Sequence, residues 1–261
     1  MGTSGAYAGS GGKDGKAARD AISNHLAGLA GPGAPPGSDP GRPPLDPAAL
    51  RGILNLLRPR QPGGGSSDGP GAGGGGGAAG GTGSRSGGGP QRTAAASART
   101  GGRSAAAAYA YRTGDAATLQ RLGLDYQELR GLDDDMEVVR RITEMACSAA
   151  DSTILDHEQR WIAASVAEWV ITLEQDGPAP TAEEIVRQTI ATIIAETALV
   201  ETGDLVNHHA QADLAESDIR DAAEALAAQA TLSVNGASEQ EISRAVEAGL
   251  ETIRMIIGKG P

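Results

Sequence analysis

The 261-residue chain holds 22 Lys+Arg against 33 Asp+Glu, no Phe and only 2% aromatic residues. A core must therefore come from Ala, Ile, Leu and Val, which favours thin, closely packed helices over a thick sandwich. The single Cys147 excludes an intrachain disulfide framework and a thiolate metal cluster, and fits a reduced, cytoplasmic setting.

No stretch approaches the roughly 20 apolar residues of a membrane span. Gly and Lys fill the place of an apolar secretory segment, and Ala6 stands where N-myristoylation wants Ser or Thr. Charge is split along the chain. Residues 1–104 carry 11 Lys+Arg and 5 Asp+Glu, a net of +6, and the remainder carries 11 and 28, a net of −17. A basic front can fold back on the acidic body or meet an acidic partner. The acidic body argues against direct nucleic-acid binding.

Residues 1–15 read as a flexible Gly-rich tail. Residues 16–59 hold two short amphipathic helices with a Pro/Gly-rich connection. The first, Lys16–Leu29, sets Ile22, Leu26 and Leu29 at helical spacing. The second, Pro47–Arg58, uses Leu50, Ile53, Leu54 and Leu57, with Pro47 in its first turn and Pro59 ending it. Residues 60–92 are a low-complexity, Gly-rich linker with nothing apolar to bury.

Residues 93–258 read as an all-helical domain, so the fold class is all-α: a helical bundle behind a long Gly/Pro-rich, largely disordered N-terminal region. Its first helix is expected from about Arg103 to the break at Gly114-Asp115, with short turns at Ala116–Leu122 and Tyr126–Leu132. Longer helices follow at Asp134–Ala150 (Val138, Ile142, Met145, Ala149) and Asp156–Glu174 (Ile162, Val166, Trp169, Leu173). Another starts at the capping box Thr181–Glu184, with Val186, Ile190, Ile193 and Thr197 in its stripe. Ala215–Leu232 and a helix from a second capping box, Ser238–Glu241, complete the bundle.

The sequence holds few chemistry-bearing motifs. Ser10–Ala17 ends in Gly-Lys, but Ser10 replaces the first Gly of a phosphate loop, Ala17 replaces its magnesium-binding hydroxyl, and no strand precedes it. Asp156-His157-Glu158 lacks the second His of a zinc motif. His208 and His209 are adjacent and point about 100° apart on a helix. Cys147 reads as a small core residue on its helix stripe. Asp133–Asp135 read as a helix cap. The expectation is no catalytic residue, no metal and no cofactor. The cluster Arg99, Arg103, Tyr109, Tyr111 and Arg112 has two readings. It grips phosphate or bases, or its tyrosines anchor the segment while Arg103 and Arg112 pair with the body's acids.

Two segments, MGTSGAYAGSGGKDGKAARD and ASARTGGRSAAAAYAYRTGDAATLQRLGLDYQELRGL, together resemble the QatB family, the B component of the bacterial Qat antiphage-defence system. The resemblance covers about a third of the chain, which departs from the family in its very long Gly linker. It implies a nonenzymatic defence component encoded beside an ATPase, a TatD-like nuclease and a 7-cyano-7-deazaguanine synthase-like enzyme. It further implies that the chain is a protein substrate and binding partner of that enzyme. Gly2 would be the modified position, with Thr3, Ser4 and Gly5 as recognition contacts and the Arg/Tyr cluster as partner-binding surface. The alternative is a helical adaptor that binds the ATPase or nuclease.

Overall fold

The computed structural model describes residues 9–29, 44–58, 92–147, 153–173, 177, 179–234 and 236–258. Among them are ten α-helices and no strand. They are α1 (Lys13–Leu29), α2 (Arg51–Leu56), α3 (Ala94–Thr113), α4 (Ala116–Arg121), α5 (Tyr126–Arg130), α6 (Asp135–Ala146), α7 (Ile154–Thr172), α8 (Ala182–Asn207), α9 (Ala212–Ala227) and α10 (Glu239–Gly258). A 3₁₀ turn, Pro47–Leu50, leads into α2. None of these helices is long and apolar enough to cross a membrane.

Most helix starts follow local chemistry. Thr153 and Thr181 cap α7 and α8 in reciprocal boxes with Asp156 and Glu184. Ser238 and Glu241 exchange the same bonds at α10. Asp134 accepts from the Met136 amide at 2.9 Å, so the acidic run does cap α6. Gly114, at φ 75°, closes α3 in the left-handed conformation that suits glycine.

The centre of the molecule is α3, packed against α10 and α7 and touching α6 and α8. Its sequence, AAASARTGGRSAAAAYAYRT, has almost no bulky apolar residue, yet Ala105, Ala107 and Ala108 are completely buried. Small side chains let neighbouring backbones approach. A Cβ on Gly102 would strike the Ser243 hydroxyl and lie 2.9 Å from the Ser243 amide nitrogen. Around this thin axle α8 supplies the bulk, with Ile185, Ile190, Ile193 and Ile194 at 0% exposure.

The structure moves several boundaries. α1 begins at Lys13, and Ser10 is buried, so residues 9–15 belong to the fold rather than to a free tail. α3 begins nine residues before Arg103, because Thr93 caps it and burial overrides the cost of two glycines. Arg92, assigned to the linker, is fully buried. The rest of the linker, 60–91, lies outside the described residues. Cys147 is the half-buried C-cap of α6, not a residue of the stripe. The buried face of α7 runs through Ile162, Ala163, Val166, Ala167, Val170 and Ile171, leaving Trp169 and Leu173 only partly covered.

Gly102→Ala should lower stability by about 1–3 kcal/mol through overpacking of the α3–α10 seam. Gly28→Ala, where an added methyl meets nothing within 4 Å, should not destabilise the protein. Paired thermal melts of the two variants check this.

Candidate functional site: a buried anchor at the root of the N-terminal segment

The most unusual chemistry of the molecule lies where the N-terminal segment meets the bundle. α8 carries Glu201 and α7 carries Glu158, each with a side chain at 0% exposure. Arg92, also at 0%, lies between them just before α3. Its Nε donates to Glu158 Oε2 at 2.6 Å and its Nη1 to Glu201 Oε2 at 3.2 Å. From α1, Arg19 donates to Glu201 Oε1 at 2.7 Å. The formal charges of these four groups cancel, which is the condition under which burying them is tolerable.

Ser10 threads into this cluster. Its amide donates to Glu201 Oε1, its hydroxyl donates to Glu201 Oε2 at 2.9 Å, and its carbonyl accepts from Arg19 at 2.9 Å. Arg92 Nη1 also reaches the Ser10 hydroxyl at 3.2 Å. Two glycines make room. Gly9 sits at φ 81°, and a Cβ there would collide with the Arg19 guanidinium and lie 2.8 Å from the Glu201 carbonyl oxygen. At Gly15 a Cβ would lie 2.5 Å from the Ser10 carbonyl oxygen and 2.7 Å from Glu201 Oε1. The α1 helix is tied again by His25, whose Nε2 donates to Asp218 on α9 at 2.6 Å.

Every carboxylate oxygen in the cluster is engaged. Glu158 Oε1 accepts from Thr197 at 3.1 Å, completing its pair. Burial pushes the Glu158 carboxyl above the ordinary carboxylate value, and Arg92 and Thr197 oppose that push. An acid–base pair needs an oxygen facing substrate, and here both carboxylates face protein. The cluster is built to hold a Gly-Ser segment against the bundle.

Of the residues expected to bind a partner, Gly2, Thr3, Ser4 and Gly5 lie outside the described residues. Arg99 is exposed on α3, and Arg103 is partly covered, with a buried Nε that has no hydrogen-bond partner among the described residues. Tyr109 and Tyr111 pack on the core, and Tyr111 meets the Tyr126 ring at 6.2 Å. Arg112 donates to the carbonyl oxygens of Val170 and Leu173, capping the end of α7. At 100° per residue these five positions spread around α3 and do not form one face. His157 is exposed. His208, exposed after α8, donates from Nδ1 to the Asp204 carbonyl at 2.6 Å.

The residues missed by the sequence reading are Arg92, Glu158, Glu201 and Ser10. Glu158 carried a readable signal, since it lies four residues before Ile162 and Val166 continues the same row. An acid in an apolar row needs a buried partner, but nothing local names Arg92, 66 residues away. A shallow cleft between α2 and α10, lined by Leu54, Leu57, Leu250, Glu247, Glu251 and Arg254, is a separate feature. No protein-family model matches the chain, and neither the curated proteins nor the solved structures contain a significant match to it.

Arg92→Met should cost about 3–5 kcal/mol, because it leaves the buried Glu158 carboxylate without its cation and takes one of two cations from Glu201, and urea unfolding measures it. The second expectation concerns pH. Glu158 holds its proton more tightly folded than unfolded, so wild-type stability loses ground as pH rises from about 4.3, the unfolded Glu value, through the raised folded value. Glu158→Gln lacks that titration. Its stability relative to wild type should therefore increase between those two pH limits; a pH-independent difference would contradict the assignment.

Proposed function

We propose that this chain is a nonenzymatic component of an antiphage-defence system, serving as protein substrate and binding partner of a 7-cyano-7-deazaguanine synthase-like enzyme. The observation that carries this reading is the anchor at Gly9–Ser10. It ties the start of the chain to a buried, neutralised charge cluster and so gives the preceding residues a fixed point of departure. A substrate tail benefits from such a root, because the partner can bind the rigid body while a slender Gly/Ser segment enters its pocket. The likeness of the first twenty residues to QatB supports the same reading.

On this reading Met1 is trimmed and Gly2 offers a free amine. The enzyme uses ATP to activate a deazaguanine carboxylate. The Gly2 nitrogen attacks the activated carbonyl, a C–N amide bond forms, AMP and pyrophosphate are released, and the amine gives up a proton. Thr3, Ser4 and Gly5 lie next to the reacting atom and would be read by the pocket. The body contributes placement, not chemistry. Its own buried carboxylates are already engaged.

A second reading, a helical adaptor for the ATPase or the TatD-like nuclease of the same system, is favoured by apolar side chains left in solvent. Trp161 is 60% exposed, and Met255 and Ile256 are neighbours on α10 at 50% and 47%. The two readings separate in cells expressing the chain with and without its neighbouring genes. Mass spectrometry of the N-terminal peptide should find an added mass at Gly2 only when the synthase-like neighbour is present. An unmodified Gly2 beside a demonstrably active enzyme would favour the adaptor.

A further inference from the structure

The last helix, α10, divides its surface unevenly. The charged residues that follow Glu241 are Arg244, Glu247, Glu251 and Arg254. At 100° per residue all four fall on one flank, within about 80° of one another. Glu247, Glu251 and Arg254 line the cleft against α2 there.

The rest of the surface outside the core is an arc of about 100° that holds Ala245, Ala248, Thr252, Met255 and Ile256. A solvent-facing helix surface ordinarily carries charge, yet this arc carries none from Ala245 to Ile256. Ala248, Met255 and Ile256 are exposed, and Ala245 and Thr252 are partly so. The Thr252 hydroxyl is spent on the Ala248 carbonyl at 2.9 Å, which leaves its methyl as the free group. Leu232 extends the apolar surface on the Gly249 side, where a Cβ on Gly249 would lie 3.3 Å from its Cδ2. Glu241, at the arc's N-terminal limit, takes the Ser238 hydroxyl and amide.

The border of the arc says what covers it. Arg244 and Glu251 edge it on the same side, seven residues and about 10 Å apart along the axis. Both are exposed. Glu241 and Glu247 lie three residues on either side of Arg244, but none of the charged side chains of α10 forms an ion pair among the described residues. Arg140, Arg187 and Arg220, by contrast, take carboxylates on their own helices. An unpaired cation and an unpaired anion on one edge are self-complementary under a two-fold axis. Turned antiparallel on a copy of itself near Ala248, α10 sets Arg244 against the copy's Glu251, and Glu251 against the copy's Arg244.

We propose that this arc of α10 is a two-fold contact between copies of the chain, closed at both edges by Arg244–Glu251 pairs. Ala245 and Ala248 at the crossing let the two helices approach closely. Met255 and Ile256 of each copy reach toward the start of the other's α10. The contact is independent of the substrate reading, and it takes Met255 and Ile256 away from the adaptor reading. One helix face is well short of the roughly 800 Å² per partner of a standard interface, so the dimer forms with a Kd on the order of 10–100 μM.

The test is analytical ultracentrifugation of the full-length chain from about 5 to 500 μM at low and moderate salt. Circular dichroism and thermal melts establish that each variant is folded. The wild type should pass from monomer to dimer across that range, more readily at low salt. Met255→Glu/Ile256→Glu should weaken association by at least about 10-fold. Arg244→Glu and Glu251→Arg should each weaken it, because either change turns both edge pairs into like-charge contacts. An equimolar mixture of those two single variants restores both pairs, and so does the double variant Arg244→Glu/Glu251→Arg. Both should associate as the wild type does.

A wild type that stays monomeric at the highest concentration overturns the proposal, as does growth beyond the dimer, which a closed two-fold contact forbids. Wild-type association in the folded Met255→Glu/Ile256→Glu variant places the contact elsewhere and overturns the face. Failure of both the mixture and the double variant to recover association overturns the antiparallel pairing.

Discussion

The fold is organised around a neutralised charge cluster in which removing one member leaves another's buried charge short of a partner. Glu158 and Glu201 are buried on neighbouring helices, where two like charges would repel and each would lack water. Arg92 bridges them, and Arg19 and Ser10 complete Glu201. Because its members arrive from four separate stretches of chain, the cluster joins α1, the run into α3, α7 and α8 at one point. Buried ion networks of this kind rarely add stability over an apolar core of equal volume, but they penalise every arrangement in which one partner is absent. They are devices of register.

Register matters here because the rest of the interior says little. α3 presents alanine, glycine and serine to its neighbours, surfaces that slide more easily than a row of leucines. Close and polar contacts restrain it, among them the Arg112 bonds to the end of α7. Gly102 rests on the α10 backbone at Ser243, and the Ser104 hydroxyl donates to the Ala163 carbonyl of α7 at 2.6 Å. Arg92 fixes the other end, just ahead of the Thr93 cap. The same polar device that seats the N-terminal segment thus also sets the axial position of the central helix. That link gives the proposed function its economy: a root for the tail is already part of what holds the body together.

Folding redistributes the charge that the sequence segregates. The basic front of the sequence is not a separate arm over the described residues, since Arg19, His25 and Arg92 are spent on Glu201, Asp218 and Glu158 of the acidic body. Lys13, Lys16, Arg51, Arg58 and Arg99 stay exposed on the front, with Asp20 exposed among them.

Most of the helical architecture was legible in the sequence. Helical spacing and the boxes at Thr181 and Ser238 placed α8 and α10, and Gly114 ended α3, because these signals act within a turn or two of chain. The all-α class followed from a chain without Phe and without strand alternation. Only the tertiary structure decided where the tail ends and what a buried acid does. Ser10 reads as part of a flexible tail until Glu201, 191 residues away, takes its amide, and Arg92 reads as the edge of a Gly-rich linker until two helices close on it. α3 was expected only from about Arg103, yet it begins at Ala94, where close packing against α10 and α7 rewards small residues. Local chemistry writes itself into neighbouring residues; pairing across the chain is chosen only when the bundle closes.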